Sequence, residues 1–112
     1  MDEQGFKSYL DNCDLSLRVK GDYLSRCKRV EKYEGDLDQH FLKNRGSNLL
    51  DKLTYTKEDQ QKELEPAHSI KITGTKGYES IYNGTASLRN AVSVYFEYLK
   101  GLNKLNEIDR NK

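Results

Sequence analysis

The 112-residue sequence predicts a small all-α domain. Three observations carry that expectation. Two segments, near residues 17–34 and 86–100, space their apolar residues at the period of about 3.6 that buries one face of a helix. A single proline, with 35% hydrophobic and 33% charged residues, leaves too few turn formers for a sandwich or barrel. Ser, Thr or Asp stands ahead of most helical runs, where its side-chain oxygen can accept from an unpaired first-turn amide. The length suits one domain, residues 1–112, large enough to bury roughly two thirds of its unfolded surface.

Asp2 is placed to cap a first helix in which Phe6, Tyr9, Leu10 and Cys13 follow the i, i+3, i+4, i+7 spacing of a buried face. Leu15-Ser16 then punctuates the chain. Ser16 is the expected cap of a second helix, and Gly35 its expected stop. Along that helix Val19, Tyr23, Cys27 and Val30 fall within roughly 80° of one another, and Arg18, Lys28, Arg29 and Lys32 cluster on the far side. Six basic residues meet two acidic ones between positions 18 and 32, a local charge of +4 in a chain whose total is +1. Gly21 costs a helix about 1 kcal/mol against alanine, so the helix either begins near Asp22 or uses the glycine for close packing.

From Asp36 to Leu64 the signals are shorter: Asp36 or Asp38 before LDQHFLKN, Ser47 before NLLDKL, and Thr54 or Thr56 before KEDQQKEL. Pro66 ends this series. Beyond it Ile70 and Ile72 alternate with polar neighbours, and Gly74, Gly77 and Gly84 surround Tyr78, Ile81 and Tyr82. A long connection is expected there, with room for a short two-stranded β-ribbon, and loops of that length are usually functional or mobile. Thr85 should cap the last long helix, in which Leu88, Ala91, Val92, Tyr95 and Leu99 form a stripe that Val94, Phe96 and Tyr98 widen past half the circumference. This is the expected central helix. Gly101 permits a break or a bend before a tail that starts helical and frays.

No apolar run reaches the length of a membrane span, and Met-Asp-Glu-Gln lacks the features of a signal peptide, so no membrane partner and a cytoplasmic location are expected. Cys13 and Cys27 lack a metal-like spacing and read as free thiols. His40 and His68 stand in unrelated contexts, and there is no HExxH, Cys/His quartet, phosphate-binding glycine loop or GxSxG. Glu58/Asp59 and Glu63/Glu65 lie in a polar stretch with nothing to raise a carboxyl pKa. The expectation is a protein that is not an enzyme and that needs no cofactor and no metal.

The stretch LSLRVKGDYLSRCKRVEKYEG resembles the core-binding, SAM-like N-terminal domain of phage integrases and other tyrosine recombinases, through Leu15, Ser16, Tyr23 and Leu24. GTASLRNAVSVYFEYLK is similar to that domain's last helix, through Leu88, Arg89, Ala91, Tyr95, Phe96 and Leu99. Val19 stands where the family has threonine, Gly21 has no counterpart, and the segment from Asp36 to Gly84 is longer than the family's connection. The resemblance implies a four- or five-helix SAM-like bundle that contacts DNA mainly through phosphates. In that family the catalytic residues belong to a following domain, so no catalytic role carries over to any residue here.

Two functions follow as expectations. The first is a non-catalytic DNA-binding domain, an accessory protein of a phage or mobile element, that contacts duplex phosphates through Arg18, Arg26, Lys28, Arg29 and Lys32, with Arg89 and Lys100 as a second row. The near-neutral total charge makes that binding modest. The second is an adaptor or inhibitor, for example of a host nuclease, whose protein partner meets Tyr78 and Tyr82 on the glycine-spaced loop.

Overall fold

Local capping chemistry starts most of the helices. The computed structural model describes residues 1–110, with side chains described as far as Leu102. The described residues form α1 (Glu3–Asp11), α2 (Leu17–Glu34), α3 (Leu37–Asn44), α4 (Ser47–Lys52), α5 (Lys57–Gln61) and α6 (Tyr78–Arg110), with no strand among them. Asp2, Ser16 and Asp36 accept from first-turn amides at 3.1, 3.2 and 3.1 Å. Thr56 and Asp59 cap α5 reciprocally, each accepting from the other's amide, at 3.1 and 2.9 Å.

The expected Ser47 cap is replaced. Ser47 is the first residue inside α4, and Gly46 holds the cap position at φ +79°. Arg45, at φ +60°, and Gly46 together return the chain, their amides donating to Phe41 and His40 carbonyls at 2.9 and 3.1 Å. A Cβ on Gly46 would lie 2.1 Å from the Phe96 ring, so the turn demands glycine both for its backbone and for the close approach of α6.

The core forms where α2 meets α6, the most extensive helix contact in the fold. Cys27 and Val30 from α2 join Leu88, Ala91, Val92 and Tyr95 from α6. Phe6 and Leu10 close one side, Leu37, Phe41, Leu49 and Leu53 the other. The Phe6 and Tyr95 rings meet edge to face at 4.9 Å. Tyr95 is fully buried, yet its hydroxyl accepts from the Asp2 amide at 2.8 Å and donates to Asp38. Burial, and then Asp38, push its pKa far above the ordinary phenol range. Tyr9 and Tyr23 pack half-buried at the edge of this core.

The last helix begins at Tyr78, seven residues before the expected Thr85 cap, and it continues through Gly101 without a break. Thr85 is fully buried in mid-helix and caps nothing. Gly84 is a contact point: a Cβ there would come within 2.8 Å of Ile72. The tail is helical to Arg110, and the expected fraying at residues 111–112 lies outside the described residues.

The expected ribbon does not form. Residues 66–73 instead make an irregular strap over α2 and α6, burying Ile70 and half-burying Ile72. Its polar groups bond to helices where a second strand would have served. Ser69 donates to Glu34 from its amide at 2.9 Å and from its hydroxyl at 3.2 Å. The Ile70 amide donates to His68 Nδ1 at 3.1 Å, so the neutral ring carries its proton on Nε2 and donates to Thr85 Oγ1 at 2.8 Å.

Gly46→Ala should cost about 2–4 kcal/mol, from the left-handed backbone and the Phe96 clash together. A circular-dichroism melt should then show a midpoint lowered by roughly 10 °C or more. An unchanged midpoint would mean that α4 and Phe96 are not packed in this way.

Burial lowers the His68 pKa from its ordinary 6.5, against an opposing pull from Glu34. As pH falls through 6.5 the unfolded chain takes up a proton that the folded chain refuses, so the stabilisation present above that pH is progressively lost. Urea unfolding at a series of pH values from about 7 down to 5 should show this decline. It should flatten in His68→Asn.

Candidate nucleic-acid interface

The N-capped α2 carries its cations around most of its exposed circumference, and the neighbouring elements sort them. Towards α1, Lys20 and Lys28 are matched by Asp11 at 3.3 Å and Glu3 at 2.7 Å. Arg26 reaches Asp22 on its own helix at 4.0 Å. Arg29 donates to the Lys71 carbonyl of the strap. Arg18 and Lys32 are exposed and make no ion pair among the described residues, and the Lys32 ammonium lies 5.6 Å from the Tyr33 ring centre. Arg18, Arg29 and Lys32 share one face, within about 60° of one another.

The expected second row does not join this face. Arg89 donates to the Leu50 carbonyl of α4 at 3.4 Å, and Lys100 pairs with Glu97 at 3.1 Å. Arg89 and Lys100 stand about 160° and 140° around α6 from Ser87, which lines a recess together with Arg26 and Arg29 of α2. Arg89 thus faces α4, and Lys100 lies on the same side of α6.

A half-open recess lies where three elements meet, with a volume of about 190 Å³. From α2 come Arg26 and Arg29. The strap adds Ile72 and Thr73, and α6 adds Ser87 and Leu88 around the bare backbone of Gly84. Ser87 Oγ donates to the Asn83 carbonyl at 3.1 Å. Nothing in the sequence marks Thr73 or Ser87, because the strap's path over α6 is a tertiary fact without a local pattern.

The strap keeps this geometry through Glu34 as well. Burial works against the Glu34 charge, but the Ser69 amide and Lys52, 3.5 Å away, hold its pKa below the ordinary carboxyl value. The other chemistry-bearing groups are enclosed. Burial, with a smaller push from Glu31, raises the Cys27 thiol to about 12, and its sulfur lies 3.4 Å from the Ala91 carbonyl. His40 Nε2 bonds to the Glu34 carbonyl at 2.6 Å. No cluster of three His, Cys, Asp or Glu residues able to hold a metal occurs among the described residues.

Tyr78 and Tyr82 lie on the first turns of α6, not on a loop. Both are half-buried, and the Lys57 ammonium sits 4.5 Å over the Tyr82 ring. A loop that adapts its backbone at contact is therefore not what carries them. No described helix is long and apolar enough to cross a membrane. The chain matches no family model, no curated protein and no solved structure.

Proposed function

We propose that the chain is a non-catalytic domain that binds duplex DNA through phosphate contacts on the outer face of α2. One observation carries the reading: Arg18, Arg29 and Lys32 share a face on which none of the three is paired with a described carboxylate. A cation already neutralised releases little on meeting a phosphate, whereas an unpaired one displaces counterions from the duplex. Arg18 and Arg29 stand three turns apart, about 16 Å along the helix, enough to reach phosphate rows on either side of a major groove about 12 Å wide.

The resemblance to the core-binding domain of tyrosine recombinases supports the same reading, and an accessory protein of a phage or mobile element is the role it suggests. With a total charge of +1, binding belongs in the weak non-specific range, a Kd of roughly micromolar or above at physiological salt.

Arg18→Ala with Lys32→Ala should weaken binding to duplexes of any sequence. The slope of log K against log salt should fall by about 0.9 for each phosphate contact removed. Fluorescence anisotropy of a labelled duplex, titrated at several salt concentrations, reads both effects. Equal slopes for wild type and double variant would remove this face from the reading.

A further inference from the structure

We propose that the recess between α2, the strap and α6 is a discrete site for a phosphomonoester. The inference rests on the polyanion reading of α2 and names a different ligand group and a different subset of residues.

Charge is the first argument. Arg26 and Arg29 both line the recess. Arg29 is oriented by a carbonyl, which fixes its guanidinium without neutralising it and occupies only part of its donor capacity. Arg26 carries only a long ion pair on its own helix, with Asp22 at 4.0 Å, which a bound phosphate can outcompete. Two guanidinium groups match the charge of about −1.5 to −2 on a phosphomonoester at neutral pH better than the single charge of a diester.

Shape is the second argument. Three elements enclose the recess on about half of its boundary, a shape that takes a terminal phosphate more readily than an internal phosphodiester, which has to continue on both sides. At about 190 Å³ the recess is smaller than the roughly 300–1,000 Å³ that encloses a drug-sized molecule, so it suits a head group and leaves the rest of the ligand outside. Thr73 and Ser87 line the recess, and the Ser87 hydroxyl can rotate away from the Asn83 carbonyl to donate to a phosphate oxygen. Ile72 and Leu88 supply an apolar side that strengthens charge-assisted hydrogen bonds by excluding water.

The phosphate could end a nucleic-acid strand or belong to a small free molecule, and the test separates these sources. Single strands of one sequence, bearing a 5′-phosphate or a 5′-hydroxyl and labelled at the other end, are titrated by anisotropy. Glycerol 3-phosphate is titrated in parallel, with the Arg26 and Arg29 side-chain N–H resonances followed by NMR. Ser87→Leu fills the recess and keeps every cation. A 5′-phosphate that tightens binding about tenfold, with the preference erased by Ser87→Leu and duplex affinity kept, supports the site and assigns it to strand ends. Equal binding of the two strands, with saturable shifts of both arginines by glycerol 3-phosphate, supports it as a site for a small phosphomonoester. If neither strand preference nor arginine shifts appear in the wild type, the proposal is overturned, whatever the variant does. Duplex binding through Arg18 and Lys32 would then still stand, and a surviving 5′-phosphate preference beside a null result for those two residues would strike only the duplex reading.

Discussion

The enclosure of α6 is the constraint on which the other elements depend. Leu88, Ala91, Val92, Tyr95, Phe96 and Tyr98 are all buried, so the helix presents apolar surface around nearly half of its girth. A chain in which a third of the residues are charged has few other apolar residues to cover it. Each remaining helix therefore contributes what it has: Cys27 and Val30 from α2, Phe6 and Leu10 from α1, Phe41 and Leu49 from α3 and α4. One polar atom sets how they come together. The Tyr95 hydroxyl, left unpaired in that core, would cost about 1–3 kcal/mol, and its partners are Asp2 at the start of α1 and Asp38 in the first turn of α3. The same bond pair satisfies the ring and fixes two helix starts against α6.

What could be read from the sequence divides along the range of the physics. The caps at Asp2, Ser16, Asp36 and Thr56 act within three residues, and they stand where the pattern puts them. The stripes of α2 and α6 are equally local, and their packing follows from each having no other apolar partner of comparable length. Gly84 and Thr85 misled for a long-range reason. Glycine followed by threonine has the look of a helix start, but Ile72 on the strap needs the missing Cβ and His68 needs the threonine hydroxyl. Ser47 misled similarly, since the approach of Phe96 makes Gly46 the cap.

The basic face shows the same divide. Its existence was legible in six cations and two acids, but its effective charge was not, because Asp11 and Glu3 reach α2 from α1 only in the folded chain. Charge counted along a sequence overstates what a polyanion meets when neighbouring helices are acidic. The type of partner also matters. A carboxylate cancels a guanidinium at long range, whereas the carbonyl that holds Arg29 orients it and leaves its net charge intact. Among the six α2 cations, Arg29 is thus the one oriented by a carbonyl and not by a carboxylate.

That fixing makes the recess conditional on the strap. Lys71 supplies the carbonyl on Arg29, Ile72 and Thr73 form one wall, and none of the three lies in a helix. Their position depends on anchors immediately upstream: the neutral His68 ring on Thr85, the Ser69 bonds to Glu34, and the buried Ile70. Protonation of His68 would put a second proton on Nδ1, where the Ile70 amide now donates, so the charged ring loses that bond and weakens one of the strap's anchors. Glu34 attracts the same proton, but it is already engaged by Ser69 and Lys52. A ligand that binds only the docked strap must therefore favour the neutral ring, and by reciprocity a neutral ring must favour the ligand. The buried histidine and the arginine recess thus share the strap: His68 anchors it upstream, and Lys71, Ile72 and Thr73 meet the recess.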